Sequence, residues 1–244
     1  DGTVTVVETK KDGTVTETVT TPDGAKTETV TTKGGDVTIT ATDKDGEQLA
    51  KVELPATIPT PETRFEDVPE GHWADEAIHN AAALKLVEGV GDNKFDPNAS
   101  MTRGALATVL HRLSQGKTDY EVTFQDVSEG KYYTEAVAWA AKVGVVKGLS
   151  EDIFAPEQVI TREQLAAMLC RYAKVVGLDT AADAEALDKF SDGDATGAWA
   201  VDSVAWCVKV GILQGKGNDT LDPTANVTRA EVALMLDRFI ALLK

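Results

Sequence analysis

The sequence is poor in the residues that build reactive centres. It has 2 Cys and 3 His among 244 residues, too few for a disulfide framework or a structural zinc cluster. His72, His79 and His111 show no ligand spacing, and no carboxylate partner marks any of them as a base. No metal, cofactor or catalytic residue is therefore assigned. Basic residues are short too. The 24 Lys+Arg stand against 40 Asp+Glu, a net charge of −16, whereas neutralising nucleic-acid phosphates needs a basic face. No apolar run reaches 18 residues, the length that spans a bilayer. A polybasic stretch or acylation signal that would hold the chain on a membrane surface is also missing. Nucleic-acid binding and membrane insertion are set aside on these grounds. The chain begins at Asp1 with no Met and no apolar leader, which reads as a mature fragment whose signal peptide would lie outside it.

Aromatics are missing from one end. All 14 Phe, Tyr and Trp lie at or after Phe65, while residues 1–64 hold 18 Thr and only 16 hydrophobic residues. That first part lacks the apolar area that offsets chain entropy in a thick core. It has turn signals instead: Asp1-Gly2, Asp12-Gly13, Asp23-Gly24 and Asp45-Gly46, with Gly34-Gly35-Asp36 between. Between them Thr14, Thr16, Thr18 and Thr20 alternate with Val15, Glu17 and Val19. Alternation broken by Asp-Gly predicts a small antiparallel β-meander over 1–54, thin and mostly solvated, or a semi-extended stalk. Asp43, Asp45 and Glu47 have a faint calcium-loop look, but the other ligands of such a loop are missing and an ordinary turn is the better reading. Residues 55–64, with proline at 55, 59 and 61, read as a semi-rigid linker.

The rest repeats three times, over 65–123, 124–189 and 190–244. The copies open at Phe65-Glu66-Asp67, Phe124-Gln125-Asp126 and Phe190-Ser191-Asp192, followed by Trp73, Tyr132 and Trp199. From that aromatic, Gly89, Gly148 and Gly215 each lie 16 positions on, Pro97, Pro156 and Pro223 lie 24 on, and Arg103, Arg162 and Arg229 lie 30 on. A fixed period of this length signals a repeat architecture. Each copy reads as helix, loop, helix. In the second helix Leu106, Val109, Leu110 and Leu113 make one apolar stripe, as do their counterparts in the other copies. The first helix stops at Gly144 and Gly211 in copies two and three, where copy one has Lys85 and an end that is strained, shifted or differently capped. One copy has two short helices and cannot close a core alone; three together can.

These residues resemble the S-layer homology (SLH) domain in a tandem of three, over residues 65–244. The resemblance implies a mainly α fold: a pseudo-threefold, three-pronged spindle around a central three-helix bundle, here with the meander in front. It also implies non-covalent anchoring to a bacterial cell wall, through secondary cell-wall polysaccharide carrying pyruvylated N-acetylmannosamine held in grooves between the prongs. The sequence departs from the pattern in places. Only Thr228-Arg229-Ala230-Glu231 is complete; copy two reads Thr161-Arg162-Glu163-Gln164 and copy one Thr102-Arg103-Gly104-Ala105. Copy one's groove is the most doubtful on that basis.

Two readings of the motif compete. Thr228 with Glu231 is a capping box, and Thr161 with Gln164 a weaker one. The arginine is not asked for by helix stability, because a cation in the first turn faces the positive end of the helix dipole. An anion site does ask for it, since free N–H groups and a guanidinium fork suit a carboxylate. Arg103, Arg162 and Arg229 thus either contact ligand or form internal salt bridges with Asp67, Asp126 or Asp192. Those aspartates either accept from sugar hydroxyls or cap the next turn. Phe65, Phe95, Phe124, Phe154 and Phe190 read as core plugs, whereas Trp73, Tyr132 and Trp199 either pack or offer a face to a sugar. The expected binding set is those three arginines, those three loop aromatics, Asp67, Asp126, Asp192 and Glu231. Cys207 aligns with Ala81 and Ala140 and reads as buried, Cys170 aligns with His111 and Asp237 and reads as exposed, and a bridge between the cysteines stays open.

A carbohydrate-binding wall anchor is the leading function. A protein-interaction module that contacts other surface-layer subunits is the alternative. A glycosidase is weaker, since no acid stands in a strongly apolar setting that would raise its pKa. From sequence alone, Arg162→Ala or Arg229→Ala is expected to weaken wall binding more than it changes the melting temperature, measured side by side.

Overall fold

The computed structural model describes residues 2–60 and 64–244; Pro61, Glu62 and Thr63 of the expected linker lie outside the described residues. Five strands, β1 (Val4–Thr9), β2 (Val15–Thr20), β3 (Lys26–Thr31), β4 (Val37–Thr42) and β5 (Gln48–Leu54), form one antiparallel sheet in sequence order. Each connection is a tight turn whose glycine sits at positive φ. These glycines, at 13, 24, 35 and 46, recur every eleven residues in step with Gly2 before β1, so Gly35 keeps the beat that Asp-Gly pairs mark elsewhere. Only glycine takes that conformation without steric cost. At Asp43 the carboxylate accepts from the N–H groups of Asp45 and Glu47 at 3.0 and 2.8 Å, an ordinary turn.

The sheet grows a core along its width. β1 is exposed along its whole length, whereas β4 and β5 alternate, burying Val37, Ile39, Ala41, Ala50, Val52 and Leu54. That buried face packs on the helices rather than on a second sheet. Trp139 Nε1 donates to the Leu49 carbonyl at 2.9 Å, and Glu47 meets Lys117 Nζ at 2.9 Å and the Tyr120 hydroxyl at 3.0 Å. Two of five strands thus obtain from the helical part the apolar cover that the Thr-rich stretch cannot supply.

Six helices follow: α1 (Asp75–Ala83), α2 (Arg103–Ser114), α3 (Thr134–Lys142), α4 (Arg162–Val175), α5 (Val201–Lys209) and α6 (Arg229–Leu242). With 31% helix and 17% strand the protein is a mixed α and β chain, which corrects the mainly α expectation. The expectation failed because thinness of sequence was read as lack of a sheet core. The implied central bundle is corrected as well. The extensive helix contacts are α2 on α3, α4 on α5 and α6 on α1, each between neighbouring copies. The second helices α4 and α6 meet through Tyr172 and Phe239, whose ring centroids lie 5.6 Å apart.

Three backbone hydrogen bonds close the copies into a ring. Met101 N–H donates to Val227 O, Val227 N–H to Ile160 O, and Ile160 N–H to Met101 O, at 2.9, 3.1 and 2.9 Å. Helix starts follow the sequence: Thr102, Thr161 and Thr228 each cap their helix, and both expected capping boxes form. The helix end of α1 is strained. Lys85 has φ 58°, where Gly144 and Gly211 have 80° and 82°, and Lys85 N–H and Leu86 N–H still make the closing bonds to Ala82 O and Ala81 O. The Cys170 expectation is also corrected. It is buried, because α5 covers that face of α4, and both cysteines are free.

Two substitutions test this packing. Lys85→Gly is expected to raise stability by about 1 kcal/mol by relieving the left-handed backbone. The buried Tyr172 hydroxyl has no partner among the described residues, so Tyr172→Phe is expected to be neutral or to gain about 1 kcal/mol. Urea midpoints at constant m-value read both.

Candidate functional site

The repeated loops are built by carboxylates. Asp67 accepts from the N–H groups of Phe95 and Asp96 at 2.8 and 2.7 Å. Asp126 holds Phe154 and Ala155, and Asp192 holds Leu221 and Asp222, in the same way. Each pair of bonds pins a residue in left-handed backbone, Asp96, Ala155 or Asp222. The aspartates are therefore loop clamps rather than partners of the arginines. The N–H bond from Leu221 holds the Asp192 carboxyl below its ordinary 3.8. At Asp67 burial pushes upward, but the two N–H bonds win and the net shift is also downward.

The pinned loop then receives the arginine of the preceding copy in the ring. Arg103 Nε donates to Phe154 O at 2.8 Å and Nη2 to Lys147 O at 3.1 Å. Arg162 does so to Leu221 O and Gln214 O, and Arg229 to Phe95 O and Glu88 O. Arg103 and Arg162 are 4% and 2% exposed, and Arg229 is half-buried. The guanidinium of Arg103 stacks 4.6 Å from the Phe154 ring centre and that of Arg229 4.3 Å from Phe95; copy three has Leu221 there, so Arg162 has no ring. Two of the three guanidinium nitrogens are thus spent on backbone carbonyls. Neither sequence reading anticipated this, since both considered only charged partners. Gly89, Gly148 and Gly215 make the fit possible: at Gly148 a Cβ would lie 2.6 Å from Ile153 O and 2.8 Å from the Phe124 ring.

What remains outside is a cleft of about 460 Å³. It is lined by Arg103 of copy one, Lys147 and the outer face of α4 from copy two, and Trp199 of copy three. Nη1 of Arg103 has no hydrogen-bond or ion-pair partner among the described residues. The cleft also holds Arg171, which lies nine positions after Arg162, as Arg112 and Arg238 follow Arg103 and Arg229. The sequence reading missed this second arginine, although its constant spacing was visible. Arg171 makes no hydrogen bond or ion pair among the described residues. Burial and the nearby Arg171 charge push the Arg103 guanidinium down to about 10. Trp73, Tyr132 and Trp199 are 57%, 63% and 57% exposed, so none of the three is a core residue. Phe95 and Phe154 are fully buried, Phe124 is buried and Phe65 and Phe190 are partly so. Glu231 is the capping-box partner of Thr228 and also lies 3.1 Å from Lys216 Nζ. His79 has a carboxylate neighbour the sequence reading did not see, Asp75 Oδ1 at 2.8 Å.

Three copies closed in a ring, with a cleft edged by Trp199 and lined by Arg103, Lys147 and Arg171 on the outside, define a helical repeat module. The chain belongs to the S-layer homology domain family, whose model matches residues 64–107, 123–166 and 189–233. It is 32% identical to an amylopullulanase of Thermoanaerobacterium thermosulfurigenes over 70% of this chain and 9% of that one. It is 32% identical to the S-layer protein sap of Bacillus anthracis over 69% and 20%, and 31% identical to an S-layer protein of Bacillus licheniformis over 73% and 19%. The chain therefore spans a small part of the relatives it matches. Family membership places it at the bacterial cell surface and associates it with anchoring to the cell wall in general.

The geometry alters the expected mutational outcome. Arg162→Ala strands two buried carbonyls and is expected to cost about 2–4 kcal/mol, so the melting temperature falls as well as binding. The loop clamps give a pH dependence of defined sign. A carboxylate held below its unfolded pKa stabilises above that value, and the contribution is lost as pH falls through the folded value. Melting temperature is expected to drop on acidification below about pH 4, and less steeply in Asp192→Asn, which starts lower at neutral pH.

Proposed function

We propose that the chain anchors a surface protein to the bacterial wall by holding an acidic secondary polysaccharide, with a pyruvate ketal as the recognised group. The observation that carries this reading is the cleft where Arg103, Lys147 and Arg171 converge beside the exposed Trp199 with no ion pair among them. A ketal carboxylate supplies the missing anion, and two guanidinium groups offer it planar hydrogen bonding. The indole offers the sugar ring a face. By the repeat, Arg162 with Trp73 and Arg229 with Tyr132 are the counterparts of Arg103 with Trp199. In this role Arg103 does two jobs: Nε and Nη2 hold the loop, while Nη1 is left for ligand. Asp67, Asp126 and Asp192 then serve binding by shaping the loop, while Glu231 caps its own helix and pairs with Lys216 rather than contacting sugar hydroxyls.

Sedimentation of the purified chain with isolated walls tests the reading. The chain is expected to pellet with native walls and to stay in solution with walls stripped of pyruvate ketals. Retention by stripped walls excludes the ketal as the recognised group, and failure to pellet with any wall favours a module that contacts other surface-layer subunits. The salt response is a second test. Chain and polymer are both anionic, so screening relieves long-range repulsion while it weakens the local contact. Between about 50 and 500 mM salt, the fraction pelleted is expected to change little; a steep loss counts against local recognition.

A further inference from the structure

The repeat gives the Arg103 cleft counterparts at Arg162 and Arg229, and the three differ in which of their charges are already used. In the cleft around Arg229, Glu88 Oε1 lies 3.0 Å from Arg112 Nη2, so the second arginine is paired within the chain. In the cleft around Arg162, Glu231 Oε1 lies 3.1 Å from Lys216 Nζ and 3.9 Å from Arg162 Nη1. There Arg238 Nη2 donates to Gln214 Oε1 at 3.0 Å. The cleft around Arg103 has neither device. The position of Glu88 is taken by Lys147, and the position of Glu231 by Gln164. Its one carboxylate, Glu163, is buried and engaged, with Oε2 accepting the Gly197 N–H at 2.9 Å. Lys147 and Arg171 are left facing the same space with like charge and, with Arg103, make no ion pair among the described residues.

We infer that the cleft around Arg103 alone takes the acidic sugar at working affinity, and that Lys147 and Gln164 set this preference. The inference rests on the anchoring reading above and assigns its site. A carboxylate entering the Arg103 cleft meets cations with nothing to displace and relieves the repulsion between them. In the other two clefts it must first compete with Glu88 or Glu231 for the same cations, and an anion beside a carboxylate is repelled. The preference therefore comes from what each cleft lacks.

Isothermal titration of the whole chain with the methyl glycoside of pyruvylated N-acetylmannosamine, alongside wall sedimentation, tests the assignment. The wild-type chain is expected to bind one equivalent. Lys147→Glu, which installs the Glu88 arrangement and gives Arg171 a partner, is expected to weaken binding at least tenfold with an unchanged or higher melting temperature. Gln164→Glu installs the Glu231 arrangement and retains the capping box, so it keeps the fold while weakening binding similarly. Two or three equivalents in the wild type, or full affinity in both folded variants, overturns the assignment and leaves the anchoring reading standing. No heat with the pyruvylated sugar and no retention on native walls removes the anchoring reading, and the assignment with it.

Discussion

The structure depends on one recurring hook: a buried guanidinium in the opening turn of a helix, bonded through Nε and Nη2 to carbonyls of a loop in the next copy. A charge taken out of water is tolerated only when its hydrogen-bonding capacity is met. Here the acceptors are neutral carbonyls, held in place because an aspartate has fixed the loop from its other side. Carboxylate, loop and guanidinium form a chain of dependence, and each supplies what the other would lack. The ring of backbone bonds among Met101, Ile160 and Val227 completes the closure at the centre.

On the proposed anchoring reading, that dependence lets one residue serve both folding and recognition. Because two donors of each arginine are spent on the loop, the group is immobilised before any ligand arrives, and little side-chain freedom is left to lose on binding. The cleft is preorganised by the interactions that hold the fold. The cost is that an arginine hooked in this way cannot be removed cleanly. Arg171 lacks this second duty, which makes it the better probe of recognition and the poorer probe of architecture.

Much of this was legible in the sequence, though unevenly. Local signals read well: Thr161 with Gln164 and Thr228 with Glu231 became capping boxes, Gly144 and Gly211 ended their helices, and Lys85, where a strained, shifted or differently capped end was open, took the strained one. Alternation and Asp-Gly turns gave the antiparallel meander, and the repeat gave the family. Long-range partners did not read. Nothing near Ile39 or Val52 says that their face lies on helices, so the sheet's weight in the fold was underestimated. Arg103 looked like an outward fork because only its own helix start was considered, while its acceptors, Lys147 and Phe154, lie in another copy. Cys170 looked exposed from its counterparts, yet burial there depends on how α5 lies across α4. The second arginines were regular enough to find, but their meaning appears only once Glu88, Lys147 and Gln214 are seen to stand opposite them.

The ring also constrains how such a chain can change its length. Every copy hands its arginine to one neighbour and takes an arginine from the other, and Arg229 closes the circuit by reaching back across the whole domain to Phe95 and Glu88. Excising one copy would leave an orphaned loop on one side and a stranded cation on the other. Unlike an open solenoid, which can gain or shed a unit at either end, this arrangement counts in threes: the triplet, not the single copy, is the unit that gene duplication and recombination can move.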